Sequence, residues 1–261
     1  MTIKQILQYI NYRITSFDEH DLHSPFLYNF YTELILNKIP FNDFVFLTKI
    51  RAEVLKDTTE LLITDFGAGS KKLKSNKRRV CDIAKYGIAQ KKQAEFLFRL
   101  VNKFNPKIIL ELGTSVGLTT MYLAKPSSKS KVYTIEGSDS LADFAQELAS
   151  KNQINNVEFI HGNFDDKLPQ LLNSIESIDL FYVDGNHAYE PTVNYFKMAL
   201  TKKHKDSIFI FDDINWSSSM QKAWNEIVNH PEVRLSLDFY HFGIVFFRIE
   251  NKEKEHFVLK F

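Results

Sequence analysis

The 261-residue chain carries 33 Lys plus Arg and 32 Asp plus Glu, a formal net charge of +1, and 44% of its residues are hydrophobic. That length holds a sizeable core and excludes a peptide-sized scaffold, while the charge balance gives no overall attraction to nucleic acid or to an anionic membrane. The lone cysteine, Cys81, excludes an intramolecular disulfide and suits a reducing compartment, and no apolar run is long enough to span a bilayer, so a cytoplasmic protein is expected.

The first 60 or so residues read as helical. Ile3, Ile6, Leu7 and Ile10 recur at helical spacing, and Ser24-Pro25 supplies an N-cap and first-turn pair for a second helix. Phe26, Tyr28, Phe30, Tyr31, Phe41, Phe44 and Phe46 are too many aromatic rings for a bare surface helix. They are expected to pack on the main domain or on a second subunit rather than to line a pocket. The pair His20 and His23 has metal-ligand spacing, but nothing nearby completes a site, so turn and capping contacts are expected.

The stretch Glu60 to Ser70 imitates a nucleotide loop with its D-x-G-x-G-S pattern. Beyond it the chain carries no apolar-periodic helix but Lys71, Lys72, Lys74, Lys77, Arg78 and Arg79, a basic loop read as a solvated connector around a small hairpin. Residues 1–88 are therefore expected to form a mainly helical extension, serving as a lid or for dimerisation, ahead of a catalytic domain over 89–261.

From Ala89 onward the pattern is regular. A helix from Gln93 to Phe104 precedes strands at Ile108–Leu112, Val132–Glu136, Val157–His161, Ile178–Asp184 and Ser207–Asp212, separated by helices over 141–151, 168–175 and 190–202. After a helix from Ser219 to Asn229, Val233–Phe239 and Gly243–Arg248 lie too close for a crossover helix and should form a hairpin. The fold class is α/β, a Rossmann-like doubly wound sheet of seven strands with an antiparallel last strand.

Ligands of such sheets bind at the carboxyl ends of the strands. The first of these ends opens into Glu111-Leu-Gly-Thr-Ser-Val-Gly117, where Ser115 occupies the middle glycine position of a dinucleotide fingerprint and weakens that reading. Glu136, ending the second strand, can accept hydrogen bonds from both ribose hydroxyls of an adenosine-containing ligand, whichever cofactor carries it. Asp184, Asp212 and Asp213 fall at the ends of neighbouring strands. Three converging carboxylates raise one another's pKa or need a cation, and a hard divalent ion such as Mg²⁺ suits oxygen ligands.

The pattern E-x-G-x-x-x-G-x-x-T from Glu111 to Thr120 resembles the first motif of class I S-adenosylmethionine-dependent methyltransferases. The resemblance implies a cofactor site drawn from Glu111, Gly113, Thr114, Ser115, Gly117, Thr119, Glu136 and Asp184, with Gly162, Asn163 and Phe164 beside the adenine. Tyr182-Val-Asp-Gly-Asn-His-Ala-Tyr-Glu190 with Asp212-Asp213 resembles the metal-dependent O-methyltransferases of the catechol and caffeoyl-CoA types. Here His187 takes the place of their lysine base and Asp213 that of an asparagine, which brings the chain nearer to the macrolide-sugar type.

That resemblance, covering about residues 89 to 250, implies O-methylation of a small-molecule hydroxyl, with a metal on Asp184, Asp212 and Asp213 and His187 as base. Tyr189 and Trp216 are expected to shape the pocket. Competing readings are a nucleic-acid methyltransferase using the basic stretch, an NAD-linked oxidoreductase, and a non-catalytic binding module of the same fold. A homodimer is compatible with the aromatic extension; a membrane partner is not expected.

Overall fold

A computed structural model of the chain describes residues 3–37, 39–64 and 75–261. In chain order the elements are α1 (Ile3–Thr15), α2 (Pro25–Tyr31), α3 (Asn42–Val54), β1 (Glu60–Leu62), β2 (Lys77–Arg79), α4 (Val80–Tyr86) and α5 (Lys91–Phe104). Next come β3 (Ile108–Leu112), α6 (Leu118–Ala124), β4 (Lys131–Glu136), α7 (Asp139–Lys151), β5 (Val157–His161), α8 (Phe164–Ser174) and β6 (Ile178–Val183). The chain continues through α9 (Tyr189–Leu200), β7 (Lys203–Asp212), α10 (Ser218–Asn229), β8 (Leu235–Asp238), β9 (Phe242–Phe246) and β10 (Glu255–Val258).

One sheet of eight strands runs in the order β10-β8-β9-β7-β6-β3-β4-β5. Strands β5, β4, β3, β6 and β7 are mutually parallel, and β9 enters antiparallel between β7 and β8. The central strands are apolar on both faces because helices cover both: Ile109, Leu110, Leu112, Leu180 and Phe181 are all fully buried. The hairpin of β8 and β9 forms as expected, and β10 adds an eighth strand parallel to β8. Its segment, Glu255-His-Phe-Val258 behind Asn251-Lys-Glu-Lys-Glu, has a strand's alternation too short and too charged to stand out in the sequence.

The aromatic amino-terminal region shares the sheet's core. Phe30 packs edge-on against Phe96 and Phe246, with ring centroids 6.1 and 5.7 Å away, and Phe41 and Phe44 close on Phe98. Tyr28 is the exception, 46% exposed. Helix α1 is fastened by the carboxyl-terminal strand: the Tyr12 hydroxyl donates to the Leu259 carbonyl at 2.7 Å and accepts from the Phe261 N–H at 3.0 Å. Pro25 opens α2 as expected, but the Ser24 side chain makes no capping bond. His20 lies in a short 3₁₀ turn capped reciprocally by Asp18 and Asp21, a local role consistent with its exposure.

The hairpin anticipated in the basic region is β1 paired with β2, Leu61 opposite Arg78. The imitation glycine loop beyond Thr64 and the lysines at 71, 72 and 74 lie outside the described residues. Lys77 pairs with Glu60 at 2.5 Å and Arg79 with Asp82 at 2.8 Å, so this part of the basic run is neutralised within the fold. Among the described residues no helix is long and apolar enough to cross a membrane.

Candidate active site

The end of β3 turns through Gly113 and Gly117 into α6, and both glycines have positive φ, +100° and +78°. Their necessity is steric and internal. A Cβ on Gly113 would lie 2.0 Å from the carbonyl oxygen of Asp184, and one on Gly117 would lie 2.8 Å from Cβ of Ala145 in α7. A glycine turn after a strand suggests close approach to a ligand; the nearer constraint here is the packing of the loop against β6 and α7. Gly113 therefore couples the glycine loop to the backbone of the acidic rim.

Glu136 closes this loop from the end of β4. Its Oε2 accepts the Ser115 N–H at 2.9 Å and its Oε1 accepts the Ser138 N–H at 3.0 Å. Glu111 and Thr114, in contrast, turn inward. Glu111 is fully buried, accepting from Thr120 Oγ1 at 2.5 Å and Thr134 Oγ1 at 2.6 Å, and the Thr114 and Thr134 hydroxyls meet at 2.6 Å. These side chains brace β3, β4 and α6 rather than face a ligand, and Thr119 is also buried. Gly162 donates its N–H to the Glu136 carbonyl, Asn163 caps α8 through the Asp165 N–H, and the Phe164 ring lies against Gly185 and edge-on to Tyr195.

Burial pushes the Glu111 carboxyl up to about 7, the two hydroxyl donors only partly offsetting it. A carboxyl whose folded pKa is raised favours folding most below its unfolded value of about 4.5 and loses that contribution as pH climbs toward 7. Stability should therefore fall by roughly 1.4 kcal/mol per pH unit through that window. In Glu111→Gln the slope should become shallower by that amount, leaving the part that Asp184, Asp212 and Asp213 contribute, as chemical denaturation at pH 5, 6 and 7 would show; an unchanged slope would assign all of it to those aspartates.

The acidic rim assembles as the strand order requires. Asp184 follows β6, Asp212 ends β7, and Asp213 takes φ +54° immediately after it. The fully buried Tyr182 places its hydroxyl 3.3 Å from Asp184 Oδ2 and 3.3 Å from Asp212 Oδ2, holding the two carboxylates around one proton donor. Gln93 of α5 donates to Asp212 Oδ1 at 2.7 Å. His187 Nε2 stands 3.7 Å from Asp184 Oδ1 and 3.9 Å from Asp213 Oδ2. Desolvation first, then the neighbouring carboxylates, hold the Asp184 carboxyl well above the usual range; desolvation and Asp213 push Asp212 up to about 6. Burial lowers the His187 imidazole, against an opposing pull from Asp212.

Tyr182 and Gln93 were invisible in the sequence, because a tyrosine in a buried strand and a glutamine on a helix read as ordinary core and surface. Tyr189 does not join the site. Its N–H donates to Ser219 Oγ at 2.8 Å, its hydroxyl bonds Glu226, and Lys222 lies over its ring. Trp216 is at the rim, where its carbonyl accepts from Gln5 of α1 at 3.3 Å. Among the described residues, no three of His, Cys, Asp and Glu are already gathered for a metal ion. The donor chemistry nevertheless fits one, since three hard oxygen ligands crowd one rim with raised pKa values, with the imidazoles of His187 and His241 as nearby ionisable counterweights.

A parallel sheet with one inserted antiparallel strand, a glycine loop and a strand-end glutamate define the class I methyltransferase fold. Residues 110–214 match the family model described as a methyltransferase domain. An uncharacterised protein of Acanthamoeba polyphaga mimivirus is 29% identical over 133 residues, covering 46% of this chain and 58% of its own length. A catechol O-methyltransferase of Niastella koreensis is 28% identical over 125 residues, covering 47% and 56%. The chain thus spans less than two thirds of either relative. A solved O-methyltransferase of Bacillus cereus, in complex with S-adenosylhomocysteine, has the same fold at a TM-score of 0.56 and 21% identity, over 83% of this chain and 95% of that one.

Proposed function

We propose that the protein transfers the methyl group of S-adenosylmethionine to a hydroxyl of a small molecule, assisted by a divalent cation such as Mg²⁺, in the cytoplasm. The observation that carries this reading is a coupling of two sites. The glycine loop capped by Glu136 is packed directly on Asp184 of the acidic rim, so a nucleoside binder and a carboxylate cluster with an adjacent imidazole share one edge of the sheet.

Glu136, at the carboxyl end of β4 beside the glycine loop, takes the ribose hydroxyls, and Gly162 and Phe164 flank the adenine side. Asp184, Asp212 and Asp213 would hold the cation. When bound, the two groups supply an electrophilic sulfonium methyl and a lowered pKa for the acceptor hydroxyl. His187 accepts that hydroxyl's proton at Nε2, and the carboxylates of Asp184 and Asp213 stabilise the imidazolium that results. The donor, when bound, would supply its methyl carbon to the deprotonated oxygen, the C–S bond breaking as the C–O bond forms so that a neutral thioether would leave. An NAD-linked reaction would use Glu136 but leaves the acidic rim without a purpose. A nucleic-acid substrate is disfavoured by the pairing of Lys77 and Arg79 within the fold.

Methyl transfer from labelled S-adenosylmethionine to a panel of catechols and sugars tests the reading. Chelation with EDTA should abolish transfer and added Mg²⁺ restore it, and His187→Ala should lower kcat by roughly 10²- to 10⁴-fold, the range for losing a positioned base. Transfer that persists in chelator would remove the cation from the mechanism. Tight NAD binding with no response to S-adenosylhomocysteine would overturn the assignment as a whole.

A further inference from the structure

Two carboxylates of the acidic rim are forced together by strand register. Tyr182 of β6 lies beside Ile210 of β7 and Val183 beside Phe211, so Asp184 and Asp212 follow side by side, on neighbouring strands about 4.8 Å apart. Side chains two residues apart on a strand leave the same face, which puts the Tyr182 ring beneath Asp184. Its hydroxyl stands between the pair, 3.3 Å from Asp184 Oδ2 and 3.3 Å from Asp212 Oδ2. The buried Gln93 donates to the other oxygen of Asp212 at 2.7 Å.

Packing alone does not call for that hydroxyl. Phe181, Phe209 and Phe211 on the same two strands are buried as bare phenyl rings, and Tyr182 is buried as completely. What distinguishes it is a neutral donor, which can stand between two carboxylates without cancelling the charge of either. A single proton spread over two long contacts perturbs both oxygens little but holds their spacing. Exposure rises from 8% at Asp212 to 37% for the Asp213 side chain, so the hydroxyl and the amide grip Asp212 from the core side of the rim.

Resting on the cation-assisted reading, we infer that Tyr182, together with Gln93, is a positioning residue that fixes the spacing of Asp184 and Asp212 and thereby sets a preference of the rim for Mg²⁺ over Ca²⁺. The reason is geometric. Mg²⁺ demands near-octahedral oxygens at about 2.0–2.1 Å, whereas Ca²⁺ accepts a variable, flexible shell at about 2.3–2.6 Å. Carboxylates that are free to turn apart must be ordered again when a cation binds, which subtracts from affinity. The stricter ion loses more when the hold is removed.

Calorimetric titration of Mg²⁺, and separately of Ca²⁺, into the intact chain tests this independently of activity. In Tyr182→Phe the Kd for Mg²⁺ should rise roughly 10- to 100-fold, the range for losing a group that orients a metal ligand, while the Kd for Ca²⁺ changes about threefold or less. Gln93→Met, which reaches only one of the two carboxylates, should move the same ratio in the same direction by a smaller factor, and it carries the test if Tyr182→Phe does not fold. A merely structural role would weaken both ions alike. An unchanged Mg²⁺-to-Ca²⁺ ratio, or tighter Mg²⁺ binding in Tyr182→Phe, would overturn the inference while Mg²⁺ binding by the parent left the cation reading standing. A parent that binds neither ion would refute both.

Discussion

Asp184→Asn is expected to lower kcat/KM for methyl transfer by about a thousandfold, while the variant unfolds at a higher temperature than the parent. The activity loss comes from position. Asp184 is the residue at which the glycine loop, the Tyr182 hydroxyl, His187 and the other two carboxylates all meet. On the proposed mechanism, removing its charge would withdraw a cation ligand and the partner that steadies the imidazolium, several kcal/mol of transition-state stabilisation in all. The stability gain has the opposite origin. Without a cation the Asp184 carboxyl is desolvated and repelled by Asp212, Asp213 and Glu111, so an uncharged amide relieves a strain that the native residue imposes. For a chain this long, each kcal/mol recovered raises Tm by about 2–4 °C. Thermal unfolding in EDTA and a methyl-transfer assay in Mg²⁺ check the two halves; a fall in Tm with activity retained would contradict both.

Gly113→Ala should be the most damaging single methyl group that can be added to the loop. Its Cβ would stand 2.0 Å from the Asp184 carbonyl oxygen and 2.8 Å from the carbonyl carbon, both backbone atoms of a central strand end, and φ is +100°. Overpacking and left-handed strain together cost about 3–5 kcal/mol. A drop of roughly 10 °C in Tm is expected. The fraction that folds should also have a low kcat, because relief of the clash moves the residue carrying the carboxylate. Gly117→Ala offers the comparison: its clash is with Ala145 of α7, so it should destabilise the fold through that helix without shifting the rim in the same way. Equal kcat values for Gly113→Ala and the parent would show that the loop and the rim are mechanically independent.

The parallel strands were legible because each is a short apolar run buried on both faces and bounded by turn residues, as Ile108–Leu112 and Ile178–Val183 illustrate. The antiparallel insertion was legible from the short connection between Asp238 and Phe242 alone. The strand Glu255–Val258 was not, since its place in the sheet is decided by β8, distant along the chain, rather than by its own pattern. Likewise Ser207 is not where β7 begins: the strand starts at Lys203, with a register irregularity opposite Ile178 and Leu180. Helix α8 starts at Phe164 rather than Leu168, because the Asn163 side chain caps it.

What the sequence by itself determined is the chemistry on offer: Glu136 at one strand end, three aspartates at two others, a histidine three residues beyond the first of them, and a glycine loop. Alternation of strand and helix places all of these on one edge, since every parallel strand must end on the same side of the sheet. Only the tertiary structure decided which side chains face that edge. Glu111 and Thr114 turned inward to brace the strands, Tyr182 came to hold two carboxylates, and Tyr189 was drawn away to α10. It also decided what α1 is for, bringing Tyr9 and Tyr12 against Tyr240 and Leu259 near the far end of the chain. Local pattern specifies strand ends and turn chemistry; which groups are desolvated, paired or left facing a cavity depends on neighbours distant in sequence.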